Sequence, residues 1–308
     1  MMSSVETKWR WLLVTAVAPI SWGATYYATR HFLPADAPLW GAALRALPAG
    51  LLLLLVARRL PRGTWWGKAV ILGILNFGAF FVLVYLAAQL LPTSMAASVM
   101  ALAPVVLGII AWPLLGQRPT AAAGVAVLVG VVGAVLLIGA ATGGIDPLGA
   151  AVSLTALVLS SLGAVLTTRW RDDLPLVATT SWQLIAGGAI LLAIAVVVEG
   201  PPPAVSASSA TAYAAIAIVA TALAFLCWFA GLRHLSASTV GTVGLLNPAT
   251  GVILGVALAG ESLTPLQIVG LVLIGAAILL TQRRARRPGR HPAAGAPALA
   301  VPTGAVRE

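Results

Sequence analysis

The sequence predicts an all-α polytopic membrane protein with ten transmembrane helices, arranged as two inverted five-helix repeats. Three observations lead to this prediction: the composition, a series of long uncharged segments, and an internal duplication. Of the 308 residues, 60% are hydrophobic and only 8% are charged, whereas soluble domains carry about 25% charged residues. The mean hydropathy is +1.01. No water-soluble fold could bury this much apolar surface, so lipid must be part of the solvent.

Uncharged segments long enough to cross a bilayer, about 20 residues each, follow one another along the chain. The apolar run 69–117 divides at Pro92 into two spans, and the second span contains a single charge, Arg45. The eighth span is expected to begin near Thr211, after three consecutive prolines. The predicted spans are roughly 11–30, 37–57, 69–90, 94–115, 120–141, 148–168, 175–198, 211–231, 238–259 and 264–282, between an N-terminal segment, 1–10, and a basic tail, 283–308, that is expected to be disordered.

The distribution of charge predicts the orientation. If both termini are cytoplasmic, sixteen of the eighteen Lys and Arg residues lie inside, and only Arg30 falls in an outside loop. The outside loops instead carry the acidic residues Asp36, Asp146, Glu199 and Glu261. This bias indicates cytoplasmic N- and C-termini, and the Arg- and Ala-rich composition favours a bacterial plasma membrane. The basic residues behind the net charge of +10 are therefore expected to contact lipid headgroups, and we expect no nucleic-acid partner.

Residues 91–120 align with residues 235–264 without a gap, and nine of the thirty positions are identical. The match joins the fourth and fifth spans to the ninth and tenth, which defines a first repeat over 11–141 and a second over 148–282. Because each copy holds an odd number of spans, the second copy enters the membrane from the opposite side. Inverted halves suit alternating access around a site near the midplane, although a duplication without a mechanistic role would leave the same pattern.

Short motifs occur in a characteristic order along the two copies. They are Trp22-Gly23, Arg45, Pro92-Thr93-Ser94, Pro104 and Gly116-Gln117-Arg118-Pro119-Thr120 in the first, and Leu235-Ser236-Ala237-Ser238, Asn247-Pro248 and Gly260-Glu261-Ser262-Leu263-Thr264 in the second. In this order and spacing the chain resembles the EamA family of the drug/metabolite transporter superfamily, with one departure, Gln117-Arg118 in place of the usual Gly-Glu. The resemblance implies a central cavity between the halves and peripheral fifth and tenth spans. It also implies transport of amino acids, related metabolites or drugs, mostly outward.

Arg45 is the only basic side chain deep within a predicted span, about 12 Å from its outer end at about 1.5 Å per residue. A charge at that depth costs at least about 2.5–3.5 kcal/mol on insertion scales, so it should face a cavity or a partner. A substrate carboxylate is one candidate partner, and snorkelling or bonds to backbone carbonyls are the alternatives. Its counterpart in the second repeat is Gln183, beside Trp182, which keeps the polarity without the charge.

Further candidates for the cavity lie in the first, third, fourth, eighth and ninth spans. Pro104 and Pro248 each remove a backbone donor within a span, and such breaks are tolerated where helices line a cavity. Small residues near these prolines can be explained by close helix packing alone, with no role in substrate binding. Tryptophans can instead act as anchors at the membrane interface. The remaining candidates are Trp22, Gly23, Thr25, Tyr26, Asn76, Tyr85, Ser98, Trp228, Thr242 and Asn247.

The sequence shows no catalytic group and no metal or cofactor motif. Paired acids, metal-ligand spacings and phosphate loops are missing, which argues against a membrane-embedded enzyme, and a channel would need a charged ring or filter-like loop. No Asp or Glu lies within a predicted span, so proton or sodium coupling has no evident carrier. The prediction is an efflux permease, a secondary transporter with a small-molecule substrate; an enzyme or channel is the alternative, and a homodimer remains open.

Overall fold

The computed structural model describes residues 4–116, 121–139, 146–170, 172–235, 240 and 243–285, and within these ranges the chain is helical and has no β-strand. The helices are α1 (Ser4–Phe32), α2 (Pro38–Ala57), α3 (Trp65–Leu90), α4 (Thr93–Leu115), α5 (Ala121–Gly139), α6 (Pro147–Arg169), α7 (Leu176–Val198), α8 (Ala207–His234), α9 (Leu246–Ala257) and α10 (Pro265–Ala285).

Six of the described helices, α2, α3, α4, α6, α7 and α8, are long and apolar enough to cross a membrane. The apolar part of α10 and the whole of α9 are shorter than a span. An all-α, membrane-spanning fold is thus confirmed. The count of ten spans in two inverted repeats stays a prediction, as does the disorder of the tail, since residues 286–308 lie outside the described ranges.

Two helices begin earlier than the hydropathy pattern predicts. α8 starts at Ala207 and not near Thr211, because the Ser206 hydroxyl accepts a hydrogen bond from the Ser209 backbone N–H at 3.1 Å. This serine cap satisfies a backbone donor at the helix start that would otherwise lack a partner. α1 starts at Ser4, within the segment predicted to precede the first span.

The packing of the helices repeats at an interval of five. α1 packs against α8 and α9, and α6 packs correspondingly against α3 and α4. α2 packs along α7, α4 against α9, and α5 against α10. If each helix is exchanged with the one five positions away, this set of pairings is unchanged.

Three helices depart from regular α geometry near the centre of the bundle. α3 contains a π-helical turn at Ile74–Gly78 and α8 another at Ile218–Leu223, while α4 passes through a 3₁₀ turn at Met100–Leu102. The two π-helical turns are offset by 144 residues, the same interval that separates Leu91 from Leu235 in the internal alignment. Such turns are rare and frequently lie at functional sites.

Candidate functional site

A cavity of about 510 Å³ lies between the helices, within the size range of small-molecule sites. It reaches the end of the bundle where α7 begins and α6 ends, since Leu176 and Thr167 line it. None of the described residues of α5 or α10 contributes to its wall. The lining residues are Trp22, Thr25, Tyr26, Arg45, Asn76, Phe77, Phe80, Phe81, Val84, Met100, Ala103, Leu107, Ser160, Ser161, Ala164, Thr167, Leu176, Thr179, Thr180, Gln183, Phe225, Trp228, Phe229 and Asn247.

Arg45 projects from α2 into this cavity and is 9% exposed. Its Nε donates to Thr221 Oγ1 at 3.2 Å, on the π-helical turn of α8, and its Cζ lies 4.0 Å from the centroid of the Phe81 ring. Within the described part of the chain, no carboxylate pairs with Arg45 and its two terminal nitrogens have no acceptor. The guanidinium is therefore a buried cation with neutral partners only, and it keeps donors for an anionic ligand.

Asn76, on the π-helical turn of α3, joins three helices through its side chain. Its Nδ2 donates to Gln183 Oε1 of α7 at 2.8 Å and to Thr167 Oγ1 of α6 at 3.2 Å. Gln183 is the predicted counterpart of Arg45. Each of the two therefore contacts the π-helical turn of the opposite half: Arg45 that of α8, and Gln183 that of α3.

Aromatic rings form a continuous path from Arg45 across the cavity. Neighbouring ring centroids lie 5.3 to 5.6 Å apart along the series Phe81, Phe77, Phe225, Trp22 and Trp228. These are the tilted and edge-on arrangements that aromatic pairs prefer. The two tryptophans were predicted to line the cavity from their positions in the sequence, and the phenylalanines were not. Their spacing of four residues, in Phe77/Phe81 and Phe225/Phe229, was an available signal, because it places both rings on one helix face.

Within the ranges that the structure describes, two buried polar atoms in the cavity wall have no hydrogen-bond partner, namely Ser161 Oγ on α6 and Asn247 Oδ1 on α9. Leaving such a group unpaired costs about 1–3 kcal/mol. Both atoms are neutral hydrogen-bonding groups, and each belongs to a residue that lines the cavity.

The structure brings eight of the predicted residues together in the cavity wall: Trp22, Thr25, Tyr26, Arg45, Asn76, Gln183, Trp228 and Asn247. Their sequence positions span most of the chain, so only the fold makes them neighbours.

Three predicted residues lie elsewhere because their polar atoms are bound outside the cavity. The Tyr85 hydroxyl donates to the Pro34 carbonyl, at the end of the bundle opposite to the cavity mouth. Trp182 Nε1 donates to the Arg59 carbonyl at 2.7 Å, beyond the end of α2. Ser98 Oγ donates to a carbonyl of its own helix at 2.6 Å and is fully buried.

Gly23 has a packing role and does not line the cavity. A Cβ there would overlap the Asn247 backbone carbonyl, so its absence allows α1 to approach α9. Gly163 of α6 packs against α3 instead, since a Cβ there would overlap the Asn76 side chain. The first and sixth spans also correspond in sequence, and this match was not predicted: Ser21, Gly23 and Ala24 align with Ser161, Gly163 and Ala164.

The remaining predicted residues concern the broken helices. Pro104 lies in the first turn of the regular helix that follows the 3₁₀ turn of α4, consistent with a break at this proline. Pro248 lies in the first turn of α9 and is not part of the cavity wall. Thr242 lies outside the described residues.

Two glutamates bind helix N-termini at the end opposite to the cavity mouth. Glu199, after α7, accepts hydrogen bonds from the Leu39 and Trp40 N–H groups at 2.8 and 3.0 Å, at the start of α2. Glu261, after α9, accepts from Thr93 N–H and from Ser94 N–H, the latter at 2.9 Å, at the start of α4. A carboxylate is favoured there by the free N–H groups and the helix dipole. Both glutamates had been predicted only as loop residues.

A second, wider cleft of about 1090 Å³ lies beside the loop that follows α2, between Arg58, Arg62 and Asp172. Asp172 accepts a hydrogen bond from Trp65 Nε1 at 2.6 Å and pairs with Lys68 at 3.2 Å. These two donors lower the pKa of the Asp172 carboxyl below its ordinary value. Among the described residues, no group of three or more His, Cys, Asp or Glu side chains is placed to hold a metal ion.

Comparisons with known proteins agree on one family. A family model described as the EamA-like transporter family matches residues 9–139 and again 147–283. The chain is 36% identical to Protein PecM of Dickeya dadantii over 267 residues, 86% of this chain and 90% of that protein. It is 26% identical to the uncharacterized inner membrane transporter YedA of Escherichia coli over 268 residues, 85% of this chain and 87% of that protein.

A solved crystal structure shares the fold, with a TM-score of 0.61 and 20% identity over 90% of this chain and 99% of the other. The duplicate family match, the relatives and the long apolar helices all indicate a membrane transporter family. This chain is a multi-pass membrane protein that belongs to the EamA-like transporter family.

Proposed function

We propose that this protein is a secondary transporter that exports a small carboxylate-bearing metabolite across the bacterial plasma membrane by alternating access. The observation that carries this proposal is the Arg45 guanidinium, a buried cation in the wall of the cavity that has no carboxylate partner among the described residues.

The energetics of Arg45 favour an anionic ligand. Its described partners, the Thr221 hydroxyl and the Phe81 ring, are neutral, and a buried charge without a counter-charge is costly. A carboxylate in the cavity would accept charge-assisted hydrogen bonds from the terminal nitrogens, each contributing about 1.5–3 kcal/mol. The bound anion would thereby replace the hydration that burial removes.

Three observations support a pair of inverted five-helix halves. The helix pairings are unchanged by a shift of five, the two π-helical turns correspond, and the family model matches the chain twice. The contacts of Arg45 with Thr221 and of Gln183 with Asn76 also correspond under this exchange. Two such halves, each with five spans, would place both termini on one side of the membrane.

The cavity and the two glutamate contacts lie at opposite ends of the bundle, which suggests how access alternates. With cytoplasmic termini, the mouth beside Leu176 faces the cytoplasm, and Glu199 and Glu261 lie at the outer face. Each glutamate belongs to the second half and holds the start of a helix in the first. Opening the outer side would separate these groups, so we assign both contacts to an outer gate that is closed in this conformation.

Transport in proteoliposomes tests the proposed function. We expect labelled carboxylates to exchange across vesicles that contain the wild-type protein. Arg45→Gln should lower this exchange at least tenfold, and Arg45→Lys should lower it too, because lysine lacks the planar fork of donors. Arg62→Gln is the matched control, since it removes an exposed arginine from a loop. Size-exclusion profiles would establish that each variant folds.

Two results would contradict the proposal. Wild-type exchange by a folded Arg45→Gln variant would remove Arg45 from the substrate site. Failure of the folded wild-type protein to move any member of a broad carboxylate panel would contradict carboxylate transport itself.

A further inference from the structure

The charged and aromatic side chains of the cavity wall indicate which kind of carboxylate the cavity accepts. This inference rests on the proposed function. Among the described lining residues, Arg45 is the one charged side chain, and none is acidic. The wall therefore offers a single positive charge. An anion of charge −1 would be balanced there, whereas the ammonium group of a zwitterionic amino acid would enter the cavity without a carboxylate to receive it.

The path of aromatic rings begins at this cation. Phe81 lies against the guanidinium, and the series continues through Phe77 and Phe225 to the pair Trp22 and Trp228. A flat aromatic ring attached to the carboxylate would lie along these side chains, where stacked and edge-on contacts add to the gain from apolar burial. A saturated ring of the same size would gain from the burial of its apolar surface but would lack these aromatic contacts.

Two neutral polar groups of the wall would be satisfied by the rest of the ligand. Among the described residues, Ser161 Oγ and Asn247 Oδ1 are buried and have no hydrogen-bond partner. Asn247 Oδ1 can only accept a hydrogen bond, and an O–H or N–H carried by the aromatic ring would satisfy it. Neither group carries a charge that could hold an ammonium ion.

We infer that the cavity binds an aromatic monocarboxylate that carries a neutral hydrogen-bond donor and no ammonium group. Arg45 binds the carboxylate, the rings from Phe81 to Trp228 contact the aromatic part, and Asn247 accepts the neutral donor. Amino acids with the same ring are therefore poor ligands of this site.

Calorimetric binding to the purified full-length protein in lipid nanodiscs tests the inference with matched compounds. The lead probe is 3-(4-hydroxyphenyl)propanoate, and tyrosine differs from it by the α-ammonium group alone. Tyramine keeps the ammonium and lacks the carboxylate, and 3-cyclohexylpropanoate compared with 3-phenylpropanoate isolates the aromatic contribution. We expect the lead probe to bind at least tenfold tighter than tyrosine, tyramine to show no binding, and the phenyl compound to exceed the cyclohexyl compound.

The same binding measurements on substituted proteins show which residue is responsible for each preference. Arg45→Gln should abolish the preference for the carboxylate over tyramine, Trp228→Leu should remove the advantage of phenyl over cyclohexyl, and Asn247→Leu should remove the advantage of the ring hydroxyl. Arg62→Gln should leave all three preferences unchanged.

Tyrosine binding as tight as that of the lead probe would overturn the inference, as would equal binding of the cyclohexyl and phenyl compounds. If neither aromatic acid binds while proteoliposomes still exchange another carboxylate, the substrate class is wrong and the proposed function stands. If no carboxylate is exchanged, the proposed function itself has failed.

Discussion

Replacing Glu261 with Gln should shift the protein towards an outward-open conformation. The Glu261 carboxylate accepts two backbone hydrogen bonds at the start of α4. A glutamine has one side-chain acceptor atom and no charge, so at least one charge-assisted hydrogen bond is lost. At about 1.5–3 kcal/mol for each such bond, the equilibrium between the two conformations should move by a factor of about 10 to 150. Glu199→Gln should act similarly at the start of α2.

Thiol labelling can measure this shift. Cys227 is the only cysteine, so a Cys227→Ser background allows a single reporter to be placed at Ser160 in the cavity wall. A membrane-impermeant maleimide should label the reporter from the cytoplasmic side in the parent. Labelling should move towards the outer side in Glu261→Gln. Asp36→Asn, which removes an exposed charge from the loop that is predicted to lie outside, is the control.

Unchanged labelling from both sides in Glu261→Gln and Glu199→Gln would refute the assignment of these contacts to a gate. Labelling of the parent from the outer side alone would refute the proposed orientation of the cavity. In the second case the hydrogen bonds of Glu199 and Glu261 would still exist, but they would close the cytoplasmic side of the protein and not the outer side.

Two further predictions concern stability. Gly163→Ala should displace Asn76 from Gln183 and destabilise the protein by about 1–3 kcal/mol, seen as a lower melting temperature in detergent, whereas Gly275→Ala, with open space around it, should not. The pKa of Asp172 is lowered by its bonds to Trp65 and Lys68, so the stabilisation is present above the unfolded-state pKa and is lost as the pH falls through the lower folded value. Melting curves should therefore show that wild type loses its advantage over Asp172→Asn on acidification below about pH 3.9, the ordinary aspartate value; a pH-independent difference would contradict this.

The sequence predicted the parts of this protein that depend on composition and depth in the membrane. Arg45 was identified because a charge within an apolar span needs a polar surrounding, and the structure places it in the cavity. Tyr85 was predicted from its place in the third span and Trp182 from its place beside Gln183. Their rings point to other neighbours, because hydropathy does not specify which face of a helix meets the cavity.

Other features depend on contacts between distant segments, which a single sequence does not display. Glu199 and Glu261 looked like solvent-exposed loop residues, yet each binds the start of a helix more than 150 residues away in the chain. No characteristic residue type marks the two π-helical turns in the sequence, so their correspondence can be seen only in the backbone. The phenylalanines of the cavity wall could have been found from their spacing of four residues, but composition alone does not distinguish them from the many other apolar residues of the spans.

A π-helical turn holds one more residue than the α-helical turn it replaces, and this surplus has a mechanical consequence. If the turn in α3 reverted to regular geometry, the part of the helix beyond it would rotate by about 100° and advance by about 1.5 Å. Asn76 would then leave Gln183, and the same change in α8 would carry Thr221 away from Arg45. Both halves therefore contain, in the backbone beside the cavity, a step of fixed size by which the cavity can be reshaped without tilting a whole helix.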